Sequence, residues 1–343
     1  MARNTFLSAR SELDGEAQMT ESDGYDVIGD VHGCADELEE LLELMGYQER
    51  NGAHRHPTRQ AIFVGDLIDR GPRQIDSVNI ARSMADSGAA LIVAANQEFN
   101  AITWATTAAD RPSGWLRNRE TKAKQHEAFV AAVRNESRLH GEIIDWFRTL
   151  PLWLELDGLR VVHACWDAAN IEWLASQWGP TPMGDLEFMR RATDKVGAPR
   201  EYDAIEHLLK GPEVPITPSY LDKGGTERHD ARMNWWNAER SRDDTARLGD
   251  IVHIPGGTIT SAGEPYQLAD PDQRAPMPVA PYDRVKPVFF GHYWFSGEPR
   301  IEGPSMACTD WSCVKGGTLA AYRWSGESEL TNDNWISVPS QQA

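Results

Sequence analysis

The chain has 343 residues, of which 41% are hydrophobic and 25% charged, a composition ordinary for a soluble globular protein and long enough for two domains or one large one with insertions. Lys plus Arg number 34 against 52 Asp plus Glu, giving a formal charge of −18. Such a surface repels anionic lipid and nucleic-acid backbone. No basic block overrides it, so neither membrane association nor non-specific nucleic-acid binding is expected. Cys34, Cys165, Cys308 and Cys313 form no C-x-x-C pair and read as reduced thiols. Residues 1–22 lack the apolar core of a secretion signal, and no apolar run approaches the roughly 18 residues of a membrane span. The expectation is a cytoplasmic protein with a disordered leader over 1–22 and one folded domain over 23–340.

Regular structure is predicted from Tyr25. Tyr25 to Asp30 is a short strand stopped at Gly-Asp. Asp36 to Tyr47 carries Leu38, Leu41, Leu42 and Met45 at helical spacing. Gln60 to Gly65 is a second strand stopped at Gly-Asp, Ile75 to Met84 a second helix, and Leu91 to Ala95 a third strand. This alternation indicates α/β layering with parallel strands. Glu98 to Leu150 reads as mostly helical and ends at Pro151. Leu152 to Leu156 and Leu159 to His163 flank Asp157-Gly158, a hairpin whose turn suits positive φ. Residues 168 to about 285 carry little strand signal and read as a helical and loop insertion, a lid or substrate wall. Val288 to His292 returns to strand character, and two or three strands follow over Ala307 to Trp324.

Four segments repeat one design, an apolar strand ending in a metal-capable residue: Ile28-Gly29-Asp30-Val31-His32-Gly33, Val64-Gly65-Asp66-Leu67-Ile68-Asp69-Arg70-Gly71, Val162-His163-Ala164 and Phe290-Gly291-His292. Ligands of open α/β sheets collect at the carboxyl ends of strands. Asp30 and His32, two apart, would point the same way from an extended strand and chelate one ion. Carboxylates, imidazoles and an amide oxygen make a mixed O/N donor set, suited to manganese, iron, zinc or cobalt rather than calcium or magnesium. Singly, each Gly-Asp is a turn signal and each internal histidine a core residue. Their order and spacing together argue for chemistry.

Gly29-Asp30-Val31-His32-Gly33 and Gly65-Asp66-Leu67-Ile68-Asp69-Arg70-Gly71 resemble the first two signatures of the phosphoprotein-phosphatase branch of the calcineurin-like metallophosphoesterases. That branch includes serine/threonine phosphatases and symmetrical diadenosine tetraphosphatases. The resemblance covers about residues 25 to 325, loosely over 168–285. It implies an α/β sandwich of two mixed β-sheets flanked by helices. It implies two divalent ions, manganese foremost, with iron, zinc, cobalt or nickel as substitutes. Asp30 and His32 would hold one ion, Asp66 would bridge both, and Asn96, His163 and His292 would hold the second. Arg70 would clamp a phosphate oxygen, Asn96 would lie beside it, and a second arginine from between the last two histidines is expected. Among Lys210, Lys223, Arg228 and Arg232, Arg232 is the candidate; Trp235-Trp236 would stack on a base or pack a lid.

The third signature departs from the family. Where the family has Gly-Asn-His followed by an acid, this chain has Ala95-Asn96-Gln97-Glu98. The family's histidine donates a proton to the leaving group; Gln97 can hydrogen-bond but cannot deliver one. Asp69, which would orient that imidazole, is then expected to lack its partner. Three functions follow. The first is hydrolysis of phosphomonoesters, on a phosphoprotein or small molecule, by in-line attack of metal-activated water. The second is hydrolysis of dinucleoside polyphosphates, whose phosphate leaving group needs no acid. The third is a pseudophosphatase that binds without turnover. Each implies a phosphorylated partner, whether protein, nucleotide or small molecule.

Overall fold

A computed structural model describes residues 23–221, 225–240 and 245–342; the leader over 1–22 and Lys223 lie outside the described residues. The first half follows the expected alternation: β1 (Tyr25–Ile28), α1 (Ala35–Met45), β2 (Gln60–Phe63), α2 (Gln74–Asp86), β3 (Ala90–Ile92) and α3 (Asn96–Ala105). Helices at Arg119–Lys122, Glu127–Val133 and Ser137–Phe147 lead to the hairpin β4 (Trp153–Glu155) and β5 (Arg160–Val162). The hairpin turn departs from expectation, because Gly158 does not adopt positive φ. It is needed for room: a Cβ there would sit 2.2 Å from the Trp324 ring.

The 168–285 segment holds helices, as expected, but also β6 (Glu213–Leu221), β7 (Glu227–Met233) and β8 (Val252–His253), which form a three-stranded antiparallel sheet. Val214 and Ile216 alternate inward and pack with Ala231, Met233 and Ile251. Pro215 and Pro218 obscure the strand pattern in the sequence, and the β6–β7 register shifts between Pro215 and Tyr220. Four strands complete the fold: β9 (Val288–Phe290), β10 (Met306–Cys308), β11 (Thr318–Trp324) and β12 (Trp335–Pro339).

Two mixed sheets result. One runs β12-β11-β1-β2-β3, the other β10-β9-β5-β4. In the first, β1, β2 and β3 are parallel; in the second, β5, β9 and β10 are. Side chains alternate about each strand. Val27, Ile62, Val161, Phe289, Ala307 and Tyr322 fill one buried cluster contributed by both sheets. Their neighbours Ile28, Phe63, Val162 and Phe290 face the other way, into the cluster shared with the helices. The sheets therefore pack face to face with helices outside. Parallel strands β1, β2, β5 and β9 end together, which sets Asp30, Asp66, His163 and His292 at one rim of the sandwich.

Candidate metal centre

Asp66 stands at the middle of that rim. Its Oδ2 lies 3.3 Å from His32 Nε2 and its Oδ1 lies 3.6 Å from His163 Nε2. Two donor groups of three share it: Asp30, His32 and Asp66, and Asp66, His163 and His292. Within each, one ligand atom per residue lies within 4.8 Å of the others. All five side chains are buried.

The imidazole tautomers follow from their partners. A carbonyl only accepts, so His32 Nδ1 donates to Ile68 O at 3.0 Å and His163 Nδ1 donates to Val64 O at 2.9 Å. Burial holds both rings neutral, His163 near a pKa of about 4 and His32 well below the usual histidine range. Their Nε2 atoms are therefore bare lone pairs. His163 Nε2 faces Asn96 Oδ1 at 3.0 Å and His292 Nδ1 at 3.3 Å. Carboxylate, amide and imidazole acceptors converging in this way fit a cation, with carbonyl-fixed rings behind them as metal-ligating histidines use. Asp30 agrees: its Oδ2 accepts His292 N at 3.1 Å, while its buried Oδ1 has no hydrogen-bond partner among the described residues. Gly291 makes the space, since a Cβ there would lie 2.0 Å from Asp30 Oδ1.

Arg70 supplies positive charge beside the first group. Its Nη1 donates to His32 Nε2 at 3.0 Å, and its guanidinium lies over the Trp294 ring, 4.0 Å from the centroid. Arg232 approaches the second group, with Nη1 donating to His292 O at 3.2 Å and a buried Nε that has no partner among the described residues. Of the other cations, Lys210 pairs with Glu206 at 2.6 Å and Arg228 is exposed on β7. Trp235 is a structural anchor, donating from Nε1 to Ala164 O at 2.9 Å beneath His163.

The third signature behaves as its sequence allows. Ala95 is extended, with φ −117°, so it needs no glycine. Gln97 N donates to Asp66 Oδ1 at 3.0 Å, and its side-chain Oε1 accepts from Asn100 at 3.4 Å. The expectation for Asp69 is corrected. It does not lack an imidazole: its Oδ2 meets His126 Nδ1 at 2.7 Å and its Oδ1 accepts Phe129 N at 3.3 Å. His126 comes from the helical segment after α3, and its buried Nε2 has no partner among the described residues.

Three further residues escaped the sequence reading. Asp310, after β10, is buried beside Asp30 and Asp66 and accepts Trp294 N at 2.7 Å and Ser312 N at 3.0 Å. Glu98 accepts Asp66 N at 3.0 Å, Leu67 N at 2.8 Å and Ala95 N at 3.0 Å. Glu98 had a legible signal, an acid at the third helical position that reaches back to the residue before the helix. Ala95 has no side-chain acceptor, so only that half of a capping box forms. His126 and Asp310 sit in no motif. A surface cleft of about 1180 Å³ between α1 and α2 is lined by Asp36, Glu39, Glu40 and Glu43, which would repel an anionic substrate.

Two mixed sheets that gather buried carboxylates and neutral imidazoles at one rim, with an arginine beside them, define a metal-dependent phosphoesterase. A family model described as calcineurin-like phosphoesterase matches residues 25–293, most of the chain, and the chain belongs to that family. A symmetrical bis(5'-nucleosyl)-tetraphosphatase of Vibrio parahaemolyticus is 25% identical over 311 residues, covering 90% of this chain and 97% of the relative. One of Edwardsiella ictaluri is 27% identical over 335 residues, 92% of this chain and 96% of the relative. An asymmetrical bis(5'-nucleosyl)-tetraphosphatase of Bacillus velezensis is 37% identical over 143 residues, 41% of this chain and 55% of that one. Among solved structures, the cold-active protein-tyrosine phosphatase of a Shewanella species aligns with a TM-score of 0.46 at 14% identity, covering 93% of this chain and 81% of that one. The sequence relatives are named as tetraphosphatases, which gives the non-catalytic reading no support. Among the described residues no helix is long and apolar enough to cross a membrane.

Two outcomes follow. Elemental analysis of manganese-loaded, desalted protein is expected to give close to two ions per chain, because Asp66 serves both donor groups. Asp66→Asn should lower both occupancies and His292→Ala mainly one; protein that retains no metal would refute the centre.

The second outcome concerns pH. Burial lifts Asp66 to about 7 and Glu98 to about 8, and raises Asp30 well above the carboxylate range. Between about pH 6.5 and 8 the unfolded chain has released these protons while the folded chain still holds some, so stability falls as pH rises. The histidines oppose this only at the lower edge of the window, where an unfolded imidazole with a reference pKa of about 6.5 is still half protonated and the buried rings are neutral; above about pH 7.5 they are neutral in both states. Metal-free protein should therefore melt at a lower temperature at pH 8 than at pH 6.5, and Mn²⁺ should raise Tm more at pH 8. Metal-free protein that gains stability across this window would contradict the account.

Proposed function

We propose that this chain holds two divalent ions, manganese foremost, and hydrolyses phosphoanhydride bonds of dinucleoside polyphosphates. Asp30 and His32 take one ion, Asn96, His163 and His292 the other, and Asp66 bridges. Bound there, the ions would supply charge to phosphoryl oxygens and lower the pKa of a coordinated water. Arg70 offers a planar, permanently charged fork to the phosphate, held in place by the Trp294 face. Arg232 serves as the second clamp at the opposite edge, and the 168–285 segment forms the substrate wall.

The observation that carries the reading is Gln97. Its backbone N–H steadies Asp66, and its side chain brings an amide to the place of a proton donor. A leaving group that needs protonation departs slowly from such a site. A phosphate leaves unaided. The full-length relatives named as tetraphosphatases support the same substrate class. One observation favours phosphomonoester hydrolysis instead: Asp69 keeps an imidazole, His126, whose Nε2 has no partner among the described residues. If His126 delivers a proton, alkyl phosphates will be turned over as readily as anhydrides.

Rates across graded leaving groups decide between them. Diadenosine tetraphosphate and p-nitrophenyl phosphate are expected to be hydrolysed far faster than phosphoserine peptides. Gln97→His should accelerate the alkyl phosphates by about 10²-fold and the anhydrides barely, since general-acid catalysis contributes roughly 10²–10⁴. Equal gains across the series would mean that Gln97 acts on metal or water position, and the reading would fall. Arg70→Ala should leave metal content intact and raise the inhibition constant of inorganic phosphate about tenfold or more, as a charge-assisted contact worth about 1.5–3 kcal/mol implies. Equal inhibition of both forms would make Arg70 structural.

A further inference from the structure

Beside the metal rim lies a cavity of about 430 Å³ lined by Asn234, Trp236, His253, Trp294, Phe295 and Glu302, among others. Its size falls within the usual range of small-molecule sites, roughly 300–1,000 Å³. It shares a wall with the candidate centre: the Trp294 ring that carries Arg70 lies 5.8 Å from the His32 ring. On another side, His253 is the cross-strand partner of Arg232 on β7. Trp294 and His253 thus join the cavity wall to Arg70 and Arg232, which do not themselves line it.

Its lining combines flat apolar faces with bare acceptors. Phe295 packs 5.8 Å from Trp236 and 5.3 Å from His253, centroid to centroid. Asn234 Nδ2 donates to Val252 O at 3.4 Å, which leaves its buried Oδ1 with no partner among the described residues. The His253 ring bonds the Tyr293 backbone, and burial beside Arg232 holds it neutral with a pKa of about 4. Its buried Nε2 likewise has no partner among the described residues and presents a lone pair. A buried acceptor without a donor destabilises the fold, so the cavity favours an occupant that brings N–H or O–H groups. Glu302, lifted by burial to about 8, completes the wall without a charge at neutral pH. Arg300 also lines the cavity, its guanidinium 5.9 Å from the Phe295 centroid and 5.2 Å from that of Trp311. A simple aryl ring fills the flat walls but satisfies neither acceptor.

We propose that this cavity is a nucleoside subsite, in which Trp236, Trp294 and Phe295 hold a purine and Asn234 Oδ1 and His253 Nε2 accept hydrogen bonds from its exocyclic amine and ribose hydroxyls. The ligand's phosphate end then lies between Arg70 and Arg232. The assignment rests on the dinucleoside-polyphosphate reading and deepens it by naming what recognises the nucleoside.

The test is calorimetric binding to manganese-loaded protein, with three probes: adenosine 5'-monophosphate, purine riboside 5'-monophosphate, which lacks the amine, and inorganic phosphate. Adenosine monophosphate should bind at least tenfold tighter than phosphate, and the amine-free analogue should lose most of that gain. Asn234→Leu and His253→Phe, which keep side-chain bulk and remove the acceptors, should each weaken adenosine monophosphate by about tenfold while shifting phosphate affinity less than twofold. Unchanged Tm values establish that the variants are folded. Equal affinity for all three probes, or variants that bind adenosine monophosphate like wild type, would overturn the subsite. If diadenosine tetraphosphate is hydrolysed but neither variant changes nucleotide binding, the subsite fails and the function stands. If nucleotide binding depends on Asn234 and His253 but no anhydride is cleaved, the function fails and the subsite stands.

Discussion

Carboxylate crowding governs this fold. Asp30, Asp66, Glu98 and Asp310 are buried together at the rim of the two sheets; burial raises the pKa of all four, and repulsion from neighbouring carboxylates adds to it at Asp30, Asp66 and Glu98. Isolated buried anions cost far more than a domain's net stability, so such a cluster persists only where it is protonated, hydrogen-bonded or met by cations. The chain uses all three remedies. Backbone N–H groups serve Glu98 and Asp310, the Arg70 guanidinium stands against Asp30, Asp66 and Asp310, and the remaining lone pairs converge on positions shaped for metal. Neutral histidines fit the same logic, since an imidazolium at His163 or His292 would compete with the ions for these oxygens.

The backbone carries a second cost of the same arrangement. His32, Asp66, Asp69, Arg70, His292 and Trp294 all have φ between 49° and 80°, where side-chain-bearing residues are uncommon. Strain of order 1–3 kcal/mol at a residue survives only where its surroundings over-determine it. Here the surroundings are visible. Glu98 fixes the N–H groups of Asp66 and Leu67, Gln74 accepts Asp69 N at 2.5 Å, and Asp30 accepts His292 N. These bonds turn loops into a rigid frame that aims side chains inward from strand ends.

Much of this was legible in the sequence because the signatures are local. Asp30, His32, Asp66, Asn96, His163 and His292 each end an apolar run or open a helix, and strand-end chemistry places such residues together. Asp310 was not legible, because its proximity to Asp30 depends on which strands pair, and pairing is a tertiary property. His126 was hidden for a related reason: inside a helical run, a histidine that will meet a carboxylate 57 positions away looks like any buried ring. The β6–β7 sheet was concealed by its own prolines. The departure at Gln97 was plain in sequence, but its consequence for Asp69 was misjudged. A buried carboxylate recruits a donor from whatever element packs against it, and here that element was the segment containing His126 and Phe129.

The hydrogen bond from His292 N to Asp30 joins residues 262 positions apart. His163 reaches Val64 across 99. No contiguous half of the polypeptide contains the whole donor set, and both sheets must dock before either ion has its ligands. Loop closures of that span are slow and are repaid late. Ion affinity is therefore absent while the nascent chain is choosing its strand partners and becomes available after the choice is made. Its effect should fall on the rate at which the finished molecule comes apart rather than on the rate at which it assembles. The loaded protein would be protected kinetically, by a lock that closes only on the completed structure.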